Sequence, residues 1–240
     1  MFNGLRSLRN LAIRTHNEVW PTIQLEVSRD SLVPDVAQLE RLDLSHNNMA
    51  VLAERLLCDL TGLQLLNVSH NRFEHISNVG LTEANDCATP LQVLDASHNQ
   101  LSSLPDGGMT AALQLRALHV HHNQLATLGA GSLAPLDQLE TLDLSVNALV
   151  TLPPSFFSTT VALHYLNLSN NTITWMPPGL FSPLRHLEVL LLAFNRLTST
   201  PIKVSRISFR KNPQKKTYYS LIVLLGTWNP CTKNLCLSYR

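Results

Sequence analysis

The sequence predicts an α/β solenoid, in which a curved parallel β-sheet forms the concave face and short helices, 3₁₀ turns and loops form the convex face. The first observation is a spaced pattern, L-x-x-L-x-L-x-x-N-x-L, which the stretch from Leu139 to Leu149 fits at every fixed position. The second is that the pattern returns every 24 residues over most of the chain. The third is that the asparagine recurs in each unit from the second onward. A chain of this kind stacks one structural unit on the next and has no single globular core.

The strand of each unit is predicted from its L-x-L core. In an extended segment Leu142 and Leu144 point to one side, and Asp143, at position 5 of the unit, points to the other. The leucines therefore fill a core while position 5 faces solvent. The pattern is that of a leucine-rich repeat. Its first leucine marks eight repeats within residues 1–200, at Leu8, Leu39, Leu63, Leu91, Leu115, Leu139, Leu163 and Leu187.

The asparagine at position 9 falls where the chain bends away from the strand. Its amide offers donors and an acceptor to backbone groups of adjacent repeats that would otherwise be buried unpaired. We therefore expect a ladder of asparagines that holds the bend. Its members are Asn47, Asn71, Asn99, Asn123, Asn147, Asn171 and Asn195.

Residues 201–240 form a divergent basic tail. They hold five Lys, three Arg and no acidic residue, whereas residues 1–200 hold ten Arg, no Lys and all 17 acidic residues. The tail is either a degenerate capping repeat or an unrelated extension, and its weak pattern favours the extension over a proper cap. At the other end, Phe2, Leu5 and Leu8 match the convex half of a preceding repeat. We therefore expect a chain that begins inside an array, without a signal peptide or a transmembrane helix.

Four stretches carry a family resemblance: LRNLAIRTHN at 8–17, LERLDLSHNNM at 39–49, the Cys58 and Cys87 pair around LNVSHNRF, and LFSPLRHLEVLLLAFNRLTST at 180–200. With them the sequence resembles the ectodomains of insect Toll receptors, in particular the long-ectodomain, Tollo-like group. The resemblance implies part of a receptor of innate immunity or development, on the extracellular face of the plasma membrane. It implies a protein ligand, a Spätzle-type cystine-knot cytokine, or another receptor, and membrane attachment through a segment that this chain lacks. The alternatives are an adhesion or matrix protein and an intracellular scaffold with the same repeats.

Cys58 and Cys87 lie one repeat apart, and Cys87 lies in the four residues by which the third repeat exceeds 24. A bridge between them is plausible because strands of neighbouring repeats are about 4.8 Å apart. In the resembled family such a pair is a disulfide that ties down the insertion. The alternative is two free buried thiols in a cytosolic protein.

Three sequons are candidate glycosylation sites, at Asn67, Asn167 and Asn170. Chance alone would give about this many, so their number says nothing of secretion. Asn67 and Asn167 occupy the outward position 5. Glycans there would stand on the concave sheet and cover part of it.

The histidines are the most unusual surface feature. Position 8 of four consecutive repeats is histidine, and positions 5 and 7 of the fifth repeat are His119 and His121. The column at position 8 consists of His46, His70, His98 and His122. A pH sensor is one interpretation, and solvated side chains in an ordinary S-H-N core are the other. A metal site at His119 and His121 lacks a third ligand nearby in the sequence, so no metal or other cofactor is predicted.

The sequence does not predict an enzyme. Asp43, Ser45 and His46 imitate a hydrolase triad, but they project from a regular strand, without a strained nucleophile turn or oxyanion donors. Residues 1–200 carry a net charge of −7, which is unfavourable for nucleic acid. A protein-binding function is therefore assigned to the outward positions 2, 3, 5, 7 and 8. The best candidates are Glu40, Arg41, Asp43, Arg116, His119, His121, Glu140 and Asp143.

Overall fold

The computed structural model describes residues 5–15, 25–28, 36–82 and 89–198, together with the backbone of residues 222–224. In this part of the chain, nine parallel strands form one large sheet. Their bounds are β1 Asn10–Ala12, β2 Arg41–Asp43, β3 Leu65–Asn67, β4 Val93–Asp95, β6 Ala117–His119, β8 Thr141–Asp143, β9 Tyr165–Asn167, β10 Val189–Leu191 and β11 Ile222–Leu224. The sequence prediction of a parallel-stranded solenoid is confirmed.

The strands pair in the register of the leucine pattern. Each strand of the large sheet from β1 to β10 covers positions 3 to 5 of its repeat, and the leucines at position 4 pair with one another along this sheet. Leu142, for example, is opposite Leu118 on one side and Leu166 on the other. One repeat of the sequence is therefore one step of the sheet.

The core lies between the sheet and the convex side and is filled by the repeated leucines. Leu142 and Leu144 are fully buried, as are their counterparts in the other repeats from the second to the seventh. Aromatic side chains fill the convex half, where Phe157 packs against Phe156 and Phe181 with ring centroids 4.9 and 5.9 Å apart.

The described convex side consists mainly of turns. It contains one short helix, α1 (Leu56–Asp59), one 3₁₀ helix (Ile76–Val79), and a small parallel sheet of β5 (Ser103–Leu104) and β7 (Thr127–Leu128). Of the predicted short helices, 3₁₀ turns and loops, turns predominate among the described residues. Proline pairs in the sixth and seventh repeats explain part of this, because proline lacks the N–H that a helix interior requires.

The asparagine column makes one set of hydrogen bonds again and again. Asn171 Nδ2 donates to the carbonyl of Leu168 in its own repeat at 3.1 Å and to that of Leu144 in the preceding repeat at 3.0 Å. Its Oδ1 accepts the N–H of Leu149 at 3.1 Å. Each asparagine therefore ties its own bend to the previous repeat and satisfies backbone groups in the core. The same bonds recur at Asn71, Asn99, Asn123, Asn147 and Asn195.

The tail contributes a strand that the sequence did not predict. The backbone of β11 pairs in parallel with β10, with Val223 opposite Leu190. The sheet thus continues one strand beyond the eight predicted repeats. Phe2 and the remainder of residues 201–240 lie outside the described residues. Within the described residues, no helix has the length and apolar character that crossing a membrane requires.

Candidate functional site on the concave sheet

A short turn ends most strands of the concave sheet, and it is built from positions 5 and 7. In the fourth repeat Asp95 Oδ1 accepts hydrogen bonds from the N–H and Oγ of Ser97, at 3.0 and 2.6 Å. In five repeats the backbone N–H of position 7 donates to Oδ1 of the residue at position 5. These acceptors are Asp43, Asn67, Asp95, Asp143 and Asn167. The recurring Asp-x-Ser and Asn-x-Ser sequences are therefore turn motifs. Four of the five serines, Ser45, Ser69, Ser97 and Ser145, are almost fully buried. The resemblance to a hydrolase triad therefore comes from a structural turn.

This turn also accounts for two of the three sequons. Asn67 and Asn167 supply the turn acceptor, and Asn167 is only 9% exposed. The Asn167 Nδ2 atom donates to Asp143 Oδ2 at 3.2 Å, so a glycan on that nitrogen would displace this bond. Asn170 is exposed. Glycosylation of all three stays a prediction.

The fifth repeat departs from the motif. His119 and His121 stand at positions 5 and 7, where the neighbouring repeats have a carboxylate or amide and a serine. Val120 between them is fully buried, so the two imidazoles share the concave face. Their ring centroids are 6.3 Å apart, with the ring planes at 84°.

Asp143 of the next repeat completes a cluster with these histidines. It is opposite His119 in the sheet register, and its Oδ2 lies 3.9 Å from His121 Nδ1. The Nδ1 atom of His121 is buried and makes no hydrogen bond among the described residues. Burial lowers the pKa of His121 although Asp143 and Asp95 raise it, so the imidazole is neutral at neutral pH.

The position-8 histidines form a stack beside this cluster. The rings of His46, His70, His98 and His122 lie 4.1 to 4.2 Å apart and within 11° of parallel. All four residues have positive φ, between 52° and 59°. Burial, and then the neighbouring imidazoles of His70, His122 and His121, lower the pKa of His98 to about 4, against the opposing effect of Asp95. A stacked, partly desolvated ring resists taking up a proton.

The other predicted binding residues are distributed along the sheet in ion pairs. Arg116 Nη1 lies 2.6 Å from Glu140 Oε1, and the exposed side chains of Arg9 and Glu40 pair at 3.3 Å. Asp43 pairs with Arg14 of the first repeat, and Arg41 is exposed. Of the eight candidates, the structure brings together His119, His121 and Asp143 in one group, and Arg116 with Glu140 in another.

Position 3 adds an apolar column to the same face. Its side chains are half-buried and mostly apolar, and they lie directly beside the acidic and amide side chains of position 5. The column runs through Leu65, Val93, Ala117, Thr141, Tyr165 and Val189.

The structure describes only one of the two cysteines in the predicted disulfide. Cys58 lies at the end of the second repeat in α1 and is disulfide-bonded. Cys87 lies outside the described residues. The pairing of Cys58 with Cys87 therefore stays a prediction.

Comparison with known proteins defines the class. Residues 24–73, 89–149 and 137–197, about two thirds of the chain, match the family model described as leucine rich repeat. The chain belongs to the leucine-rich repeat family.

Two similar proteins are Toll receptors, and each is much longer than this chain. Toll-like receptor 7 of Drosophila melanogaster is 40% identical over 85 residues, which is 35% of this chain and 6% of that protein. The crystal structure of the TLR13-ssRNA13 complex superposes on this chain with a TM-score of 0.70 at 28% identity. That superposition covers 82% of this chain and 26% of that one. The resemblance to Toll receptors that the sequence predicted is confirmed.

The sequence singled out both histidines of the cluster but not Asp143 as their companion. Asp143 is 22 residues from His121 in the chain, so local spacing does not connect them. The signal that would have found it is the period itself. In a 24-residue repeat, position 5 of one unit lies beside position 5 of the next, and Asp143 follows His119 by 24 residues.

Proposed function

We propose that the chain is a protein-binding module from the extracellular region of a Toll-type receptor, and that the ligand binds on the concave sheet. One observation carries the proposal: the half-buried, mostly apolar column at position 3 runs beside position 5, which is acidic or an amide in every repeat from the second to the seventh except the fifth, where it is His119. Such a face suits a partner that presents apolar and basic side chains together. It offers both an area to desolvate and charges that orient the partner.

The resemblance to Toll receptors supports a secreted protein ligand, and a Spätzle-type cystine-knot cytokine is the ligand that it implies. The disulfide at Cys58 supports an extracellular location over an intracellular scaffold, because cytosolic thiols are kept reduced. An adhesion or matrix protein with the same repeats is the competing interpretation. Its partner would occupy the same concave face.

Single-stranded RNA is the second candidate ligand, because the similar TLR13 structure is a complex with ssRNA13. The position-5 column of this chain carries the carboxylates of Asp43, Asp95 and Asp143. These repel phosphate, and the lowered pKa of His98 and His121 keeps those two imidazoles from offsetting the charge near pH 7. A protein ligand is therefore favoured.

The test is a pair of alanine-to-arginine substitutions at matched sites. Ala117 lies half-buried in the middle of the concave sheet, whereas Ala130 is exposed outside it. An arginine at position 117 would project over the apolar column and block it. We expect Ala117→Arg to weaken binding to an immobilised Spätzle-type cytokine by about tenfold or more, and Ala130→Arg to leave it unchanged.

The same titration with a single-stranded RNA oligonucleotide at physiological salt separates the candidates. If both variants bind the cytokine as tightly as the parent chain, the ligand binds away from the concave sheet. Binding of RNA but not cytokine, lost in Ala117→Arg, would replace the protein ligand with nucleic acid on the same face.

A further inference from the structure

We propose that His119, His121 and Asp143 form a site for a divalent transition metal ion, with Zn²⁺ as the matching ion. Among the described residues, these three offer ligand atoms that all lie within 4.8 Å of one another. They come from two adjacent repeats, so the site exists only because the repeats stack. The inference is separate from the proposed ligand, since metal binding is a property of the chain alone.

The backbone brings the three side chains to one point. His119 is the last residue of β6, and His121 follows it on the same face because Val120 turns into the core. Asp143 is the last residue of β8 and the register partner of His119. Two residues of one repeat and one of the next thus form a triangle on the concave surface. The side chains of His121 and Asp143 are 27% and 17% exposed, so an ion would be partly shielded yet accessible.

The hydrogen bonds of the cluster leave a ligand position open. His121 Nδ1 is buried without a hydrogen bond among the described residues, at 3.9 Å from Asp143 Oδ2. A buried ring nitrogen of this kind is costly unless something binds it. A cation between Nδ1 and Oδ2 would bind the lone pair of the nitrogen, and its positive charge would offset the negative charge of the carboxylate.

The carboxylate is held in place by the same turn that recurs in other repeats. Asp143 Oδ1 accepts from the N–H and Oγ of Ser145 at 2.9 and 2.6 Å, and Oδ2 accepts from Asn167 Nδ2 at 3.2 Å. Such supporting hydrogen bonds orient a ligand before the ion arrives and strengthen its binding. The fifth repeat has no equivalent serine, so its two histidines are free of this turn and available to the ion.

The ligand set selects the ion. Two imidazoles and one carboxylate suit Zn²⁺, Ni²⁺ and Cu²⁺, whereas Ca²⁺ and Mg²⁺ prefer oxygen ligands. Zn²⁺ takes its ligands in a tetrahedron whose donor atoms are about 3.4 Å apart, so closing the present triangle needs a movement of about 1 Å. Three protein ligands leave the fourth position open toward the concave surface. Water, or a histidine or carboxylate of a bound protein, would fill it.

The test is titration calorimetry with ZnCl₂ on the tag-free chain from the bacterial periplasm, in buffer without chelators at neutral pH. That source avoids glycosylation, because Asp143→Asn creates a sequon. We expect one Zn²⁺ per chain. Both His121→Ser and Asp143→Asn should weaken binding by about tenfold or more. The first restores the serine of the neighbouring repeats, and the second keeps the turn acceptor, as Asn167 does in the next repeat.

The matched control is His46→Asn, which removes a histidine from the stack at a distance from the cluster. Asparagine suits this position, because Asn170 occupies it in the seventh repeat with φ of 52°. The control should bind Zn²⁺ as tightly as the parent chain. Circular dichroism establishes whether each variant is folded. If His121→Ser does not fold, the Zn²⁺ affinity of Asp143→Asn decides whether the cluster binds the ion.

Three outcomes would overturn the proposal. The parent chain fails to bind Zn²⁺ at one equivalent, the two cluster variants bind as tightly as the parent, or His46→Asn weakens binding as much as they do. The third outcome would move the ion to the histidine stack. Zn²⁺ should also shift the ring nitrogen resonances of His119 and His121 and leave those of His46 in place.

Discussion

The second to fifth repeats and the sixth to eighth repeats share a backbone but differ in their surface. At position 8 the first group has His46, His70, His98 and His122, and the second has Val146, Asn170 and Phe194. All seven residues have positive φ, between 52° and 59°. In the second to seventh repeats the N–H of position 8 donates to the position-7 carbonyl of the next repeat, at 2.9 to 3.1 Å.

The comparison teaches that scaffold and surface are separate properties of this chain. An imidazole, an isopropyl group, an amide and a phenyl ring all occupy the same left-handed position, and the first three make the same backbone bond. The asparagine at position 9 next to it does not vary in these repeats. The fold therefore does not require histidine at position 8.

The largest effect should come from the core, and it should be equal in the two halves. Leu94 and Leu142 are fully buried at the centres of β4 and β8. Either one changed to alanine should lower the free energy of unfolding by about 2 to 5 kcal/mol, through lost burial and a cavity. Equilibrium urea denaturation measures both. If the free energy of unfolding falls several times more for one of these variants than for the other, the two halves do not share one scaffold.

A smaller and again equal effect is expected from the asparagine ladder. Asn99 and Asn171 are about equally buried and make corresponding hydrogen bonds in the fourth and seventh repeats. Changing either to alanine leaves buried carbonyl and N–H groups unpaired and should cost about 1 to 3 kcal/mol. Gln100→Ala, next to the ladder but exposed, is the control in the same denaturation series and should cost less.

The third effect should appear in the histidine half alone. The pKa of His98 is about 4 in the folded chain, against about 6.5 for an unfolded histidine, so the unfolded chain binds more protons between these values. The stability that the folded chain gains from keeping His98 neutral is fully present above pH 6.5, and it is lost as the pH falls toward 4. The groups that face it are His70, His121, His122 and Asp95.

His98→Asn should therefore reduce the loss of stability on acidification. Denaturation at pH 7 and pH 4, with a chelator present, measures the difference. Val146→Asn, at the same position of the other half, introduces no titrating group and should keep the parent's pH dependence. An unchanged profile for His98→Asn would mean that the stacked ring takes up its proton as readily as a solvated one.

The repeat frame was predictable from the sequence because it rests on a short period. Leucines at fixed spacing determine which residues turn inward, and one repeat sets the register for the next. The convex side was less predictable. Its residues form turns such as those around Phe156 and Phe181, where packing and proline decide the backbone and no strong periodic pattern is present.

The candidate site was predictable in its parts and not in its assembly. The histidines stand out in the sequence, but Asp143 enters their cluster only through the sheet register. The sequons at Asn67 and Asn167 show the reverse case, since a motif that suggests glycosylation is also the hydrogen-bonding turn of the repeat. The segment that forms β11 lacks the leucine pattern of a repeat, so the sequence did not predict that it pairs with β10.

The separation of scaffold and surface is tested most directly by replacing the whole histidine column with asparagine, the residue that already stands at position 170. The measurement is the free energy of unfolding of the variant H46N/H70N/H98N/H122N at pH 8. The account predicts a value within about 1 kcal/mol of the parent chain, because the backbone bonds at position 8 remain. A loss of about 4 kcal/mol or more, the size expected of several ladder asparagines together, would contradict it.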